Sequence, residues 1–121
     1  LADDESVEAG LIEAGIDGWQ GIQPRIGMTL PRLQEKYGGQ LCFWGGVDVD
    51  TLVAGTEEEV ADEVRVAFDS APREGGLVLT CGNSVMVGVK YENYMAMLRA
   101  ARALTPRAPL SQAVASERGE A

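Results

Sequence analysis

The sequence predicts an α/β domain built on parallel strands, on three observations. Helix-like and strand-like patterns alternate along the chain in the order αβαβαβα. The run Leu77-Val-Leu-Thr-Cys81 is a continuous apolar segment of strand length. The run Leu41-Cys-Phe-Trp-Gly-Gly-Val-Asp48 brings a carboxylate to the end of an apolar strand that breaks at two glycines. Strands separated by helices pair in parallel through right-handed crossovers. A run without polar alternation marks a strand buried on both faces. A carboxylate at a strand's C-terminal end sits where parallel α/β proteins do their chemistry, which makes Asp48 the first candidate.

Each element carries a local signal. Ser6 can cap a first helix in which Val7, Leu11 and Ala14 recur at helical spacing, with Gly15 as its stop. Ile16 to Ile22 alternates loosely and leads to Pro24, which suits a short strand. Thr29 caps a second helix with Pro31 in its first turn and Leu30 and Leu33 facing inward, and Gly38-Gly39 ends it. The second strand runs from Leu41 to Trp44. Thr56-Glu-Glu-Glu59 is a capping box whose acids favour the helix dipole. It opens a helix with Val60, Val64, Ala67, Phe68 and Ala71 on one face. Pro72 and Gly75-Gly76 precede the third strand, Leu77 to Cys81, and a last helix near Glu92 to Leu104 presents Tyr94, Met97, Leu98, Ala101 and Leu104. From residue 105 to 121 the chain is polar and small, a tail expected to be disordered.

Composition narrows the functions. The 121 residues, 45% apolar and 24% charged, suit one modest domain, residues 1 to 104. Ten Lys+Arg against 19 Asp+Glu give a net charge of −9, which argues against nucleic-acid partners and an anionic membrane surface. No apolar stretch approaches the roughly 20 residues that span a bilayer. Cys42 and Cys81 lie in separate apolar runs, so reduced thiols in a cytoplasm are expected rather than a staple. Three parallel strands leave two open edges, and the chain opens at Leu1 directly before a helical pattern. It reads as a fragment, completed by further strands or by a homo-oligomer.

Several local features occur in the order found in the uroporphyrinogen decarboxylase superfamily. Leu11-Ile-Glu-Ala-Gly-Ile-Asp17 precedes a strand, Tyr37-Gly38 precedes the next, and Phe43-Trp-Gly-Gly-Val-Asp48 follows it. Gly55-Thr-Glu-Glu-Glu-Val60 opens a helix, Gly75-Gly76 precedes the last strand, and Tyr91-Glu-Asn-Tyr94 opens the last helix. Over roughly residues 7 to 104 the chain resembles the C-terminal part of that family's (β/α)8 barrel, about three of its eight βα units. Each motif alone is common; their order is what carries the likeness. The resemblance places Gly45, Gly46 and Asp48 on the family's Gly-Gly-x-Asp loop at the barrel mouth. Glycines there let backbone N–H groups approach a ligand, and a carboxylate accepts hydrogen bonds or orients a cation. Asp48 bonding only its own turn is the competing reading.

The departures bear on the reaction. Decarboxylase members carry a histidine after the last strand, where this chain has Asn83 and no histidine anywhere. An amide can hydrogen-bond but cannot titrate near neutrality, so a proton-transfer role is lost. Gln23 stands where the decarboxylases have an acid near the end of the first strand, and it can bind but not ionise. The related cobamide-dependent methyltransferases place a zinc-binding cysteine at the position of Asn83. The nearest thiol here is Cys81, two residues earlier, which an even spacing would keep on the same face as a possible zinc ligand; a buried small hydrophobe is the other reading. Trp44 suits packing or a pocket wall, as Trp19 suits packing, and Met86, Met95 and Met97 suit packing around the last helix. Gly82-Asn-Ser84 suits a plain strand-to-helix loop or a small anion-binding nest that includes Ser84.

The resemblance therefore implies a methyltransferase-like member acting with a corrinoid or tetrapyrrole, with cobamide and zinc as possible cofactors and a corrinoid protein or a methylated small molecule as partner. A cofactor-free carboxy-lyase acting on uroporphyrinogen is the second expectation. A non-catalytic truncated or interaction domain is the third.

Overall fold

A computed structural model of the chain describes residues 4–22, 24, 27–71 and 75–105. Helix α1 (Asp4–Glu13) starts two residues ahead of Ser6, so Ser6 lies inside the helix and is not its cap. It stops in a pair of backbone bonds, Gly15 N–H to Ile12 C=O and Ile16 N–H to Leu11 C=O, that satisfies two carbonyls of its last turn. Strand β1 (Gly18–Gln20) is shorter than the expected Ile16 to Ile22, because the chain turns at Gly21 and Ile22 leaves the strand to enter the core. Helix α2 (Leu30–Tyr37) takes Pro31 in its first turn, with Leu30 and Leu33 buried as expected; Thr29 occupies the N-cap position without a side-chain bond.

Strand β2 (Cys42–Val47) does not end at Trp44. It runs through both glycines, with Gly45 opposite Leu79 and Gly46 opposite Thr80 on strand β3 (Leu77–Cys81). Between β2 and helix α4 (Glu57–Ser70) a six-residue helix α3 (Val49–Ala54), not anticipated from the sequence, intervenes. The Thr56 half of the capping box is present: Thr56 Oγ1 accepts the Glu59 N–H at 3.1 Å. Helix α5 (Tyr91–Leu104) closes the described chain. Gln23 and the tail after residue 105 lie outside the described residues.

The strands form one parallel sheet in the order β1-β2-β3. Right-handed crossovers that step the same way each time place their helices on the same face. In agreement, α2 and α4 touch each other and both touch β2, while α5 packs on α4. On that face Trp19, Phe43 and Leu77 meet the side chains of Ile22, Leu30, Leu33 and Ala67. Farther along, Val47 and Cys81 pack with Leu52, Val60, Val64, Ala96 and Met97.

Among the described residues the opposite face is uncovered. Gln20, Trp44 and Val78 lie side by side in register across the strands, all exposed, with the Trp44 indole beside Gly18. The expectation that Leu77 to Cys81 is buried on both faces is thus corrected: Val78 is 41% exposed, with no layer over it among the described residues. Met86 is likewise exposed in the loop before α5, whereas Met97 is in the core.

Gly46 shows why two glycines sit inside a central strand. Its φ of +120° is one that L side chains rarely adopt, and a Cβ there would lie 2.9 Å from the Ala67 Cβ of α4 and 3.0 Å from Leu79 Cδ1. Their absence lets α4 approach the sheet. We expect Gly46→Ala to destabilise the fold by about 2–4 kcal/mol, combining backbone strain with overpacking. Gly10→Ala, in α1 with nothing within 4 Å of the added methyl, is expected to be neutral or slightly stabilising. Urea unfolding of the two variants against the wild type checks both.

Candidate functional site

The segments that leave the three strands converge at one end of the sheet. Gly82 is the point of contact: its N–H donates to Val47 C=O at 2.9 Å, and a Cβ on it would stand 2.8 Å from the Ile22 carbonyl oxygen. Only a residue without a side chain allows the backbone after β3 to pass so close to the backbone after β1. This approach brings Asn83 level with Asp48. The two line an open cleft of about 200 Å3 together with Ile22, Pro24 and Gly82. A second cleft, of about 250 Å3, shares Gly82 and Asn83 and adds Gln20 and Ser84.

Asp48 is the N-cap of α3. Its Oδ1 accepts the Asp50 N–H at 3.0 Å, and its carbonyl accepts from Thr51 and Leu52. The reading in which Asp48 bonds its own turn is therefore realised, and it coexists with a place in the cleft wall. The backbone N–H of Asp48 donates to Glu63 Oε2 at 2.9 Å, and the Thr51 hydroxyl donates to Glu63 Oε1 at 2.7 Å. One carboxylate on α4 thus grips both the start and the first turn of α3. Burial raises the Glu63 pKa above the ordinary range, helped by the negative charges of Asp48 and Glu59 and opposed by the two hydrogen bonds.

The far end of α3 is held by Asn93, almost fully buried in the first turn of α5. Its Nδ2 donates to the carbonyls of Gly55 at 2.9 Å and Leu52 at 3.1 Å, with a longer approach to Thr51. These are carbonyls at the C-terminus of α3, which has no continuing helix to bond them. In return Lys90 N–H donates to Leu52 C=O at 3.1 Å.

The other sequence candidates separate. Gly45 is buried against Ile22, where a Cβ would come within 3.2 Å of its Cδ1, and Gly46 faces α2 and α4; both serve packing inside the strand rather than a loop at the mouth. Trp44 lies on the uncovered face, not in the cleft walls. Ser84 reaches the second cleft.

Cys81 is 2% exposed in the helix-side cluster, its thiol donating to Asn83 C=O, and both cysteines are free. The even spacing from Cys81 to Asn83 fails because β3 ends at Cys81, so strand alternation does not extend to the next two residues. Among the described residues no group of three or more His, Cys, Asp or Glu could hold a metal ion. Cys81 is thus packed among Val47, Leu52, Val60 and Val64, the surroundings of a buried small hydrophobe.

Sequence reasoning missed Glu63 and Asn93. Glu63 falls three residues after Val60 and four before Ala67, on the buried stripe of α4, and an acid on such a stripe is a signal. Asn93 is an amide inside a helical turn, unfavourable there unless its side chain has a partner. No family model and no curated protein matches the chain.

Two stability effects follow. Asn93→Ala is expected to cost about 1–3 kcal/mol, since the Gly55 carbonyl loses the Asn93 donor and the Leu52 carbonyl is left with the Lys90 N–H alone, and the loss should appear as a lower urea midpoint. For Glu63, a raised carboxyl pKa means that the folded state keeps a proton the unfolded chain has released. Its contribution to stability is therefore present below the ordinary value, falls as pH rises through the window up to the raised value, and is flat above it. Subtracting the pH profile of Glu63→Gln from that of the wild type should isolate this downward step; an upward step would contradict the assignment.

Proposed function

We propose that the chain supplies the C-terminal βα units of a (β/α)8 barrel of the uroporphyrinogen decarboxylase superfamily, in a methyltransferase-like branch that binds a corrinoid or related tetrapyrrole at the barrel mouth. The observation that carries the reading is the meeting of Asp48 and Asn83 at the C-terminal ends of adjacent parallel strands, the position where such barrels hold their ligands. The sequential strand order and the uncovered face bearing Gln20, Trp44 and Val78 support the barrel part of it: strands of a barrel turn one face to helices and the other inward. The outer edges of β1 and β3 have no partner strand among the described residues, which suits completion by further strands of polypeptide or by another copy.

The mouth favours one ligand chemistry over another. Asp48 accepts hydrogen bonds, Asn83 and Gln20 present amides, Ser84 a hydroxyl, and no described residue lining either cleft is basic. Such a surface matches neutral amide substituents or N–H donors. It suits less well the many carboxylates of a uroporphyrinogen, which call for Arg or Lys. A cobamide is rimmed with amides, and its side chains, rather than the whole macrocycle, are of a size for these clefts. When bound it would supply the methyl-carrying group. The chain's own part is to orient that ligand through Asp48 and Asn83; Asn83, which cannot ionise, moves no proton.

Hydroxocobalamin titrated into the protein, followed by its visible absorbance and by tryptophan quenching, is expected to bind saturably. Asp48→Ala and Asn83→Ala should each weaken it about tenfold or more, corresponding to ~1.4 kcal/mol. Absence of binding would sink the reading, and conversion of uroporphyrinogen to coproporphyrinogen by the same protein would favour the carboxy-lyase instead.

A further inference from the structure

We infer that Glu63 is the positioning residue of this mouth: its carboxylate fixes the turn that presents Asp48, and protonation of Glu63 loosens that hold. The geometry is specific. Both carboxylate oxygens are engaged, Oε2 by the Asp48 N–H at 2.9 Å and Oε1 by the Thr51 hydroxyl at 2.7 Å, and the two donors flank the first turn of α3. Asp48 itself turns its Oδ1 to the Asp50 N–H, so the side chain that faces the cleft and the backbone that Glu63 holds belong to one hydrogen-bonded unit. The fourteen-residue α4 anchors that hold, because Val60, Val64 and Ala67 on either side of Glu63 are fully buried. A rigid helix thereby sets the position of a six-residue one.

Among the described residues, the charges that act on Glu63 are those of two acids. Asp48 faces it from the turn after β2 and Glu59 from the preceding turn of its own helix, and α3 contributes the uncharged Thr51. On the other side Glu63 shares a cleft of about 240 Å3 with Thr29, Leu30 and Pro31 of the α2 start, none of them charged, and with Asp62 beside it. Burial and these like charges favour the neutral carboxyl, while the two donors favour the carboxylate. A proton on Glu63 removes acceptor capacity from one of the two oxygens, and either the Asp48 N–H or the Thr51 hydroxyl then loses its charge-assisted partner. Glu63 touches no ligand in this arrangement. It acts through Asp48, and its bearing on activity rests on the proposed role of Asp48, whereas its hold on the turn does not.

The test is a ligand-free NMR titration of the full chain, so that failure of cobamide binding leaves it intact. The Asp48 amide proton is expected to be shifted downfield at high pH and to move upfield on acidification with the same midpoint as the Glu63 side-chain carboxyl. That midpoint should lie above the ordinary glutamate range. In Asp48→Asn the residue-48 amide should still titrate, which separates the effect from the residue's own carboxyl. In Glu63→Gln, which keeps an acceptor for the amide, the titration should vanish while the α3 resonances persist. In Glu63→Leu the amides of residues 48 and 51 should exchange with solvent about tenfold or more faster. Different midpoints for the amide and the Glu63 carboxyl in the wild type alone, or an unchanged titration in Glu63→Gln, would overturn the inference.

Discussion

Every parallel crossover in this chain has to turn the same way, and nearly everything else in the architecture follows from that restriction. With the strands laid down in the order β1-β2-β3, the same hand at each step sends α2 and α4 to one side and brings the chain back to the same end of the sheet after every strand. The consequence for burial is one dense layer, in which Phe43, Val47, Leu52, Val60 and Val64 lose nearly all their exposure, facing one bare layer on which Trp44 and Val78 keep two-fifths or more of theirs. The consequence for chemistry is that the segments after the strands are neighbours whatever their sequences. Asp48 and Asn83 meet because the topology leaves no other place for them.

Within that frame, helix-to-sheet distance is set by what β2 lacks. Two glycines in the central strand admit Ile22 on one residue and Ala67 and Leu30 on the next. The approach of α4 that results is what carries Glu63 within hydrogen-bonding reach of the Asp48 backbone. A packing device in the sheet therefore controls the geometry of a polar turn one residue beyond the strand. The same economy holds at Gly82, where a missing Cβ lets one strand-end segment pass against another and brings the cleft walls together.

What the sequence made legible was whatever depends on neighbours a few residues away. The Thr56 cap, the Pro31 turn, the apolar stripe of α4 and the strand at Leu77 to Cys81 are local patterns, and each appears where it was expected. The glycine pair was legible only as a break, because a turn and a positive-φ residue inside a paired strand call for the same amino acid. The pairing with β3 that distinguishes them lies more than thirty residues away in the chain. Helix α3 escaped because six residues beginning Val-Asp-Thr are too short for periodicity to reveal. Its ends are held instead by Glu63 and Asn93, from two other helices. Of the two readings of Cys81 the buried small hydrophobe is the one seen, since strand alternation stops at the last paired residue, and Gln23 falls outside the described chain.

The polar residues at this end of the sheet divide by how they are satisfied. Glu63 and Asn93 spend their hydrogen-bonding capacity on backbone and hydroxyl groups of α3 and its flanks. Asn83, Ser84 and Gln20 are exposed residues of the cleft walls, and the half-buried Asp48 stands between the two sets. A buried residue whose donors are all matched holds its partners in one arrangement, because each alternative leaves a polar atom unpaired in a region poor in water. An exposed amide carries no such obligation and can exchange water for a ligand at little cost. That contrast is what a recognition surface built on a rigid support requires. Desolvation also falls on the support: burial raises the Glu63 pKa against the pull of its two hydrogen bonds.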